Sequence, residues 1–96
     1  MARATRLGDN CTGHDACEPR RLITASENVY INGLGAGRVG DMYASHSCLE
    51  HPPHQDYIAA GSQTVFINGK NAGRIGDAVI LAGAVMEGSE NVYIGD

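Results

Sequence analysis

Seven side chains of this 96-residue chain are borderline or soft metal donors, and all lie between positions 11 and 54: Cys11, His14, Cys17, His46, Cys48, His51 and His54. Zinc takes imidazole and thiolate ligands of this kind in tetrahedral sites. A small domain with little apolar surface to bury often gains stability from a bound ion. No spacing here is a standard finger. Gly-His-x-x-Cys (13–17), His-x-Cys (46–48) and Cys-x-x-His-x-x-His (48–54) are each weak signals alone, so the clustering carries the argument. A single free Cys packs like a small hydrophobe, a reading that fits one thiol better than it fits seven donors together. Two catalytic alternatives use the same residues. Cys17 or Cys48 could pair with a His as nucleophile and base, or a zinc with an open position could activate water, as in a metal-dependent hydrolase. A chain this short has few residues with which to build a substrate cleft. A stand-alone zinc-binding sensor module is a further alternative.

Donors scattered in sequence need elements that bring them together, and a repeat supplies these. SENVYINGLGAGRVGD (26–41) is written again within GSQTVFINGKNAGRIGD (61–77), with Ser26/Ser62, Val29/Val65, Asn32/Asn68, Arg38/Arg74 and Asp41/Asp77 all 36 apart. A fixed step of this size marks a repeat architecture. Partial copies stand at the ends: ATRLGD (4–9) matches AGRVGD and AGRIGD, and GSENVYIGD (88–96) matches the front half of the unit. The N-terminus therefore holds the back of a unit whose front lies at the C-terminus. This predicts three units in a pseudo-threefold ring, with the first and last strands meeting.

Within a unit, residues 28–31, 64–67 and 91–94 alternate β-branched and aromatic residues, the pattern of a short strand with one face inward. Asn32-Gly33 and Asn68-Gly69 follow, and this dipeptide favours a tight hairpin because both residues tolerate positive φ. Residues 38–41 and 74–77 are expected to return as the second strand. Three loops join the hairpins: 10–25, 42–60 and 78–87. The first two carry every His and Cys, and in a threefold arrangement all three emerge at one end.

With 13 Gly, one Phe and no Trp, the chain reads as a thinly packed, turn-rich β protein without long helices. Its net charge of −4, with seven scattered Lys and Arg, argues against a nucleic-acid surface. No stretch approaches the roughly 18 apolar residues of a membrane span, and MARATRLGD lacks the apolar segment of a signal peptide. An odd number of Cys without such a signal argues against a disulfide framework. Asp9, Asp41 and Asp77 recur beside Gly, which suits a turn former that accepts from backbone N–H groups better than a catalytic acid. Arg6, Arg38 and Arg74 recur with them, either in a structural pairing with these Asp residues or in contacts with a threefold partner.

The repeated GS-x-x-V-[YF]-I-N-G-x-x-A-x-R-[VI]-G-D unit, the permuted ends and Gly-His-x-x-Cys-x-Pro-Arg (13–20) resemble the PAAR-repeat proteins, nearest to their phage tail-spike branch. The namesake motif is degenerate here, as Arg3-Ala-Thr-Arg6, Gly35-Ala-Gly-Arg38 and Asn71-Ala-Gly-Arg74. The resemblance implies an all-β, small conical pseudo-threefold hairpin-repeat domain with a metal-stapled apex, spanning 1–96 without a fused effector domain. It implies a structural, non-enzymatic role: capping and sharpening a trimeric β-helical spike and assisting it in piercing an envelope. The spike is that of a contractile phage tail or a VgrG-like type VI secretion spike, so the chain would sit at a virion tail tip, or in a bacterial cytoplasm before delivery, and touch the target membrane only transiently. It also implies one zinc ion near the apex. By match to the family, His14, His46 and His54 are its ligands. The family's third-loop Cys falls at Leu81, so the fourth ligand is replaced, with Cys17 favoured and Cys48, Cys11 and His51 the other choices.

Overall fold

The computed structural model describes residues 1–13, 18–48, 51–80 and 83–95, with 46–48 and 51–54 described by their backbone. The described residues form eight short strands and no helix: β1 (Ala2–Arg3), β2 (Tyr30–Ile31), β3 (Leu34–Gly35), β4 (His46–Cys48), β5 (His51–His54), β6 (Phe66–Ile67), β7 (Lys70–Asn71) and β8 (Tyr93–Ile94). They pair as four antiparallel ribbons, β1 with β8, β2 with β3, β4 with β5 and β6 with β7. The Asn-Gly dipeptides turn β2 into β3 and β6 into β7. Asn32 and Gly33 take φ of 53° and 80°, and Asn68 and Gly69 take 55° and 77°. Successive positive φ values give a turn whose twist matches that of the flanking strands.

The third hairpin is assembled from the chain ends, as the permuted repeat predicts: Ala2 pairs with Ile94 and Arg3 with Tyr93. Around the pseudo-threefold axis the three units are tied by bonds that close on themselves. Thr5 N–H donates to Gly73 O (3.1 Å), Gly73 N–H to Gly37 O (2.9 Å) and Gly37 N–H to Thr5 O (2.9 Å). One residue to either side of these, the pairings Ala4–Arg74, Arg6–Ala36 and Arg38–Ala72 form a second cycle. No unit is an end of the ring.

This close approach explains the small residues on the axis. A Cβ on Gly37 would lie 2.7 Å from Thr5 Cγ2 and 2.9 Å from Leu22 Cδ2. On one side of the ring lie Ala4, Ala36 and Ala72 with Ile31, Ile67 and Ile94, flanked by Val65 and Val92. On the other side lie Cys11, Tyr43 and Val79 with Leu22, Ile58 and Val85, flanked by Val39 and Ile75. Each set holds two residues from each unit, so the core is a stack of triangles on one axis. The molecule is elongated, 37 × 24 × 22 Å.

One expectation is overturned. The returning strands are Leu34–Gly35 and Lys70–Asn71, whereas residues 38–41 and 74–77 form tight turns. Asp41 N–H donates to Arg38 O and Asp77 N–H to Arg74 O, both at 3.0 Å. Gly40 and Gly76, at φ of 94° and 93°, allow the chain to double back there. The Arg-[VI]-Gly-Asp alternation imitates a strand, but its Gly is a turn residue.

Candidate functional site

The recurring Arg and Asp form three copies of one structural fork. Arg38 donates through its backbone N–H and Nε to Asp41 Oδ2 (2.7 and 2.9 Å) and through Nη2 to Asp41 Oδ1 (2.9 Å). Arg6 with Asp9 and Arg74 with Asp77 repeat this pattern. Hydrogen bonding to Asp41, partly offset by burial, holds the Arg38 guanidinium above its usual pKa, and Asp9 does the same for Arg6. The remaining guanidinium nitrogen, Nη1, reaches the next turn: Arg6 to Asn32 Oδ1, Arg38 to Asn68 Oδ1 and Arg74 to Gly95 O. The same three oxygens accept from Ser89, Ser26 and Ser62. The Arg residues therefore belong to the frame, and the Asp residues are the backbone-binding turn formers that their place beside Gly suggested.

At the loop end, the metal candidates separate. Cys11 is 1% exposed and packs among Leu22, Tyr43, Ile58, Val79 and Val85, a small hydrophobe rather than a donor facing the loops. Above this layer, Tyr43 N–H donates to Asp56 O, and the chain between them carries β4 and β5. There His46 is the cross-strand partner of His54, and Cys48 is the partner of His51. Residues directly opposite on an antiparallel pair share a face, with Cβ atoms about 4.5–5.5 Å apart. The backbone therefore brings together two of the sequence-designated ligands, His46 and His54, 8 positions apart in the chain, and the donor types suit zinc. His14 and Cys17, and Leu81 at the family's third-loop position, lie outside the described residues. Among the residues whose side chains are described, no group of three or more His, Cys, Asp or Glu could hold a metal ion.

Inside the loop end, Tyr43 is fully buried, and among the described residues its hydroxyl has no hydrogen-bond partner. Burial, with the nearby Cys11 and the three fork aspartates, pushes its pKa above the ordinary tyrosine value.

At the opposite end, a feature not assigned from sequence appears. Tyr30, Phe66 and Tyr93, one per unit, are 60%, 57% and 53% exposed, while the adjoining Ile31, Ile67 and Ile94 are buried. Three large apolar side chains at symmetry-related positions thus flank the Ile layer and face water. The strand alternation contained this signal, because an aromatic next to an inward Ile must take the outer face. The alternation left open which of the two faced inward.

A family model described as the PAAR motif matches residues 12–80, more than half of the chain. No curated protein matches the chain. No helix among the described residues is long and apolar enough to cross a membrane.

Proposed function

Because the chain belongs to the PAAR-motif family, whose members are spike tips of contractile injection systems that sit on a spike protein, we propose that it caps a trimeric β-helical spike and helps it pierce a target envelope. The observation that carries this reading is the triangle of exposed Tyr30, Phe66 and Tyr93 around the Ile31, Ile67 and Ile94 layer. A trimeric spike ends in three identical strands with unpaired edges and apolar ends. One chain that presents the same apolar contact three times can match all of them at once, which accounts for the repeat. Aromatic residues are the side chains that interfaces favour over other exposed surface.

The opposite, loop-bearing end is the leading point. A narrow tip has no room for a large core, so one zinc ion serves there in place of packing. Zinc bound to a cage absent from the unfolded chain contributes on the order of 10 kcal/mol in small zinc domains. His46 and His54 are the first ligands; His14 and Cys17 are the donors that the family resemblance adds. The role is structural rather than catalytic. Both a phage tail and a type VI apparatus present a trimeric spike that such a cap would fit.

The test is stoichiometry. Mixed with its purified trimeric spike, the protein should elute with it at one chain per trimer. Tyr30→Lys, Phe66→Lys and Tyr93→Lys, combined, should leave the fold intact and abolish co-elution. Three chains per trimer, or binding indifferent to the triple variant, would refute the reading.

A further inference from the structure

Among the Asn residues of the chain, only Asn32 and Asn68 are followed by Gly. In an Asn-Gly pair the Gly nitrogen can attack the Asn side-chain amide carbon, because the next residue has no side chain to stand in its way. The N–H proton passes to solvent, the bond from Cγ to the amide nitrogen breaks, ammonia leaves and a five-membered succinimide forms. Water then opens that ring on one side or the other, giving Asp or isoAsp. The reaction consumes water alone, so each turn already holds every group that the chemistry requires.

Steric cover does not prevent it. Asn32, Gly33, Asn68 and Gly69 are exposed, and a Cβ on either Gly would meet nothing within 4 Å. What opposes the reaction is the fastening of each amide to the neighbouring unit. Asn32 Oδ1 accepts from Ser89 Oγ (2.5 Å) and Arg6 Nη1 (3.1 Å), and its Nδ2 donates to Asn91 Oδ1 (2.9 Å). Asn68 Oδ1 accepts from Ser26 Oγ (2.7 Å) and Arg38 Nη1 (3.0 Å), and its Nδ2 donates to Asn28 Oδ1 (2.9 Å). The two serines are anchored in turn. Ser89 and Ser26 are 0% and 5% exposed, and each accepts from two backbone N–H groups, those of Asn91 and Val92 or of Asn28 and Val29. The Arg and Ser donors polarise the carbonyl, but attack also needs the amide to swing its face onto the nitrogen at about 3–3.5 Å. Every such swing works against three hydrogen bonds made by a different repeat.

We infer that Asn32-Gly33 and Asn68-Gly69 are latent self-modification sites, silent while the ring is closed and converted at whichever junction opens. The third junction has no such site, because Gly95 O stands there in place of the Asn oxygen and accepts from Ser62 Oγ and Arg74 Nη1. Conversion marks an opened junction permanently. IsoAsp routes the main chain through the former side chain and adds an atom to a two-residue turn that sets the register of its hairpin. Either product adds a negative charge to the hairpin that carries Tyr30 or Phe66. A ring that has opened and reacted therefore does not regain its original hairpins on closing.

The test follows deamidation of the whole chain by mass spectrometry of its proteolytic peptides, with isoaspartyl methyltransferase to label isoAsp. In mildly alkaline buffer the folded wild type should keep Asn32 and Asn68. The same chain in urea should convert both, while Asn28 and Asn91, which precede Val, stay intact over the same period. Two variants then address one junction each. Asn91→Ala removes the Nδ2 acceptor of Asn32 and should speed conversion there by about 5-fold, the equivalent of one neutral hydrogen bond, without changing Asn68. Asn28→Ala should do the reverse, with circular dichroism confirming that both variants are folded. Equal rates in folded and unfolded wild type, or an Asn91→Ala variant that speeds both sites or neither, would overturn the inference. None of these results bears on the spike-cap reading, which the co-elution measurement decides separately.

Discussion

Replacing Asp41 by Asn tests the frame most directly, because the change is nearly isosteric and removes only charge and acceptor capacity. The Asp41 side chain is 4% exposed and that of Arg38 12%. Asp41 Oδ2 accepts from Arg38 N–H and Nε, and Oδ1 accepts from Arg38 Nη2 and Thr24 Oγ1, the latter at 3.0 Å. An Asn amide has one oxygen, so in either orientation its NH2 group faces two donors, and the Arg38 charge stays buried without its counterion. Breaking a buried pair by removing one partner costs about 3–5 kcal/mol. The other two forks provide internal controls. Asp9 and Asp77 side chains are 12% and 10% exposed, and among the described contacts their Oδ1 atoms accept only from Nη2 of Arg6 and Arg74. Asn at either position can turn its NH2 toward that single donor, so Asp9→Asn and Asp77→Asn should each cost about 1–2 kcal/mol less, in line with one fewer unsatisfied group. Urea unfolding at fixed metal content measures this. With a slope of about 1–3 kcal/mol per molar, Asp41→Asn should lower the midpoint by roughly 1–5 M. A loss below about 1 kcal/mol, as in an exposed ion pair, or equal losses at all three sites, would refute the reasoning.

Other outcomes follow from the core. Tyr43→Phe should stabilise the protein by about 1–3 kcal/mol, the cost of a buried hydroxyl left unsatisfied, seen as a rise in melting temperature; a fall would mean that the hydroxyl is bonded. Because burial raises the Tyr43 pKa, the folded state keeps a proton that the unfolded chain releases. Its contribution is therefore whole below pH about 10 and lost as pH rises through the folded value, so alkaline unfolding followed by circular dichroism should shift to higher pH in Tyr43→Phe. Gly37→Ala should destabilise by about 1–3 kcal/mol through overpacking against Thr5 and Leu22; an unchanged unfolding midpoint would show that the ring has slack.

Much of this architecture was readable from the repeat. The 36-residue step and the permuted ends give the threefold ring and the pairing of β1 with β8, and Asn-Gly gives the hairpin turns, because both are local or periodic signals. The returning strand was misplaced because Val39 and Ile75 alternate with polar residues as strand residues do. The closing bonds from Asp41 N–H to Arg38 O and from Asp77 N–H to Arg74 O, with Gly40 and Gly76 at positive φ, mark those segments as turns. Cys11 was counted with the donors because a thiol has the same letter in a core layer as in a site. The hairpin at 46–54 is hidden in the sequence, because two prolines and a shifted register do not look like a strand, and the pairing of His46 with His54 is a property of register rather than of spacing.

The ring also sets an order in time. Ala4 N–H donates to Val92 O, and Ser89 N–H to Ala4 O, so the hairpin partner of the first strand is missing until residues 88–94 have been synthesised. The two inner repeats, joined through Arg38 and Ala72, can associate earlier. The axial cycle of Thr5, Gly37 and Gly73 draws on no residue beyond 73 and can close before then, whereas the apolar layer beside it lacks Ile94, so a nascent chain presents two sides of that layer with the third open. Pairings of such long sequence separation form slowly and leave edges exposed meanwhile. The permutation of the repeat thus makes the third hairpin, and the Ile layer that it completes, wait for residues 88–94.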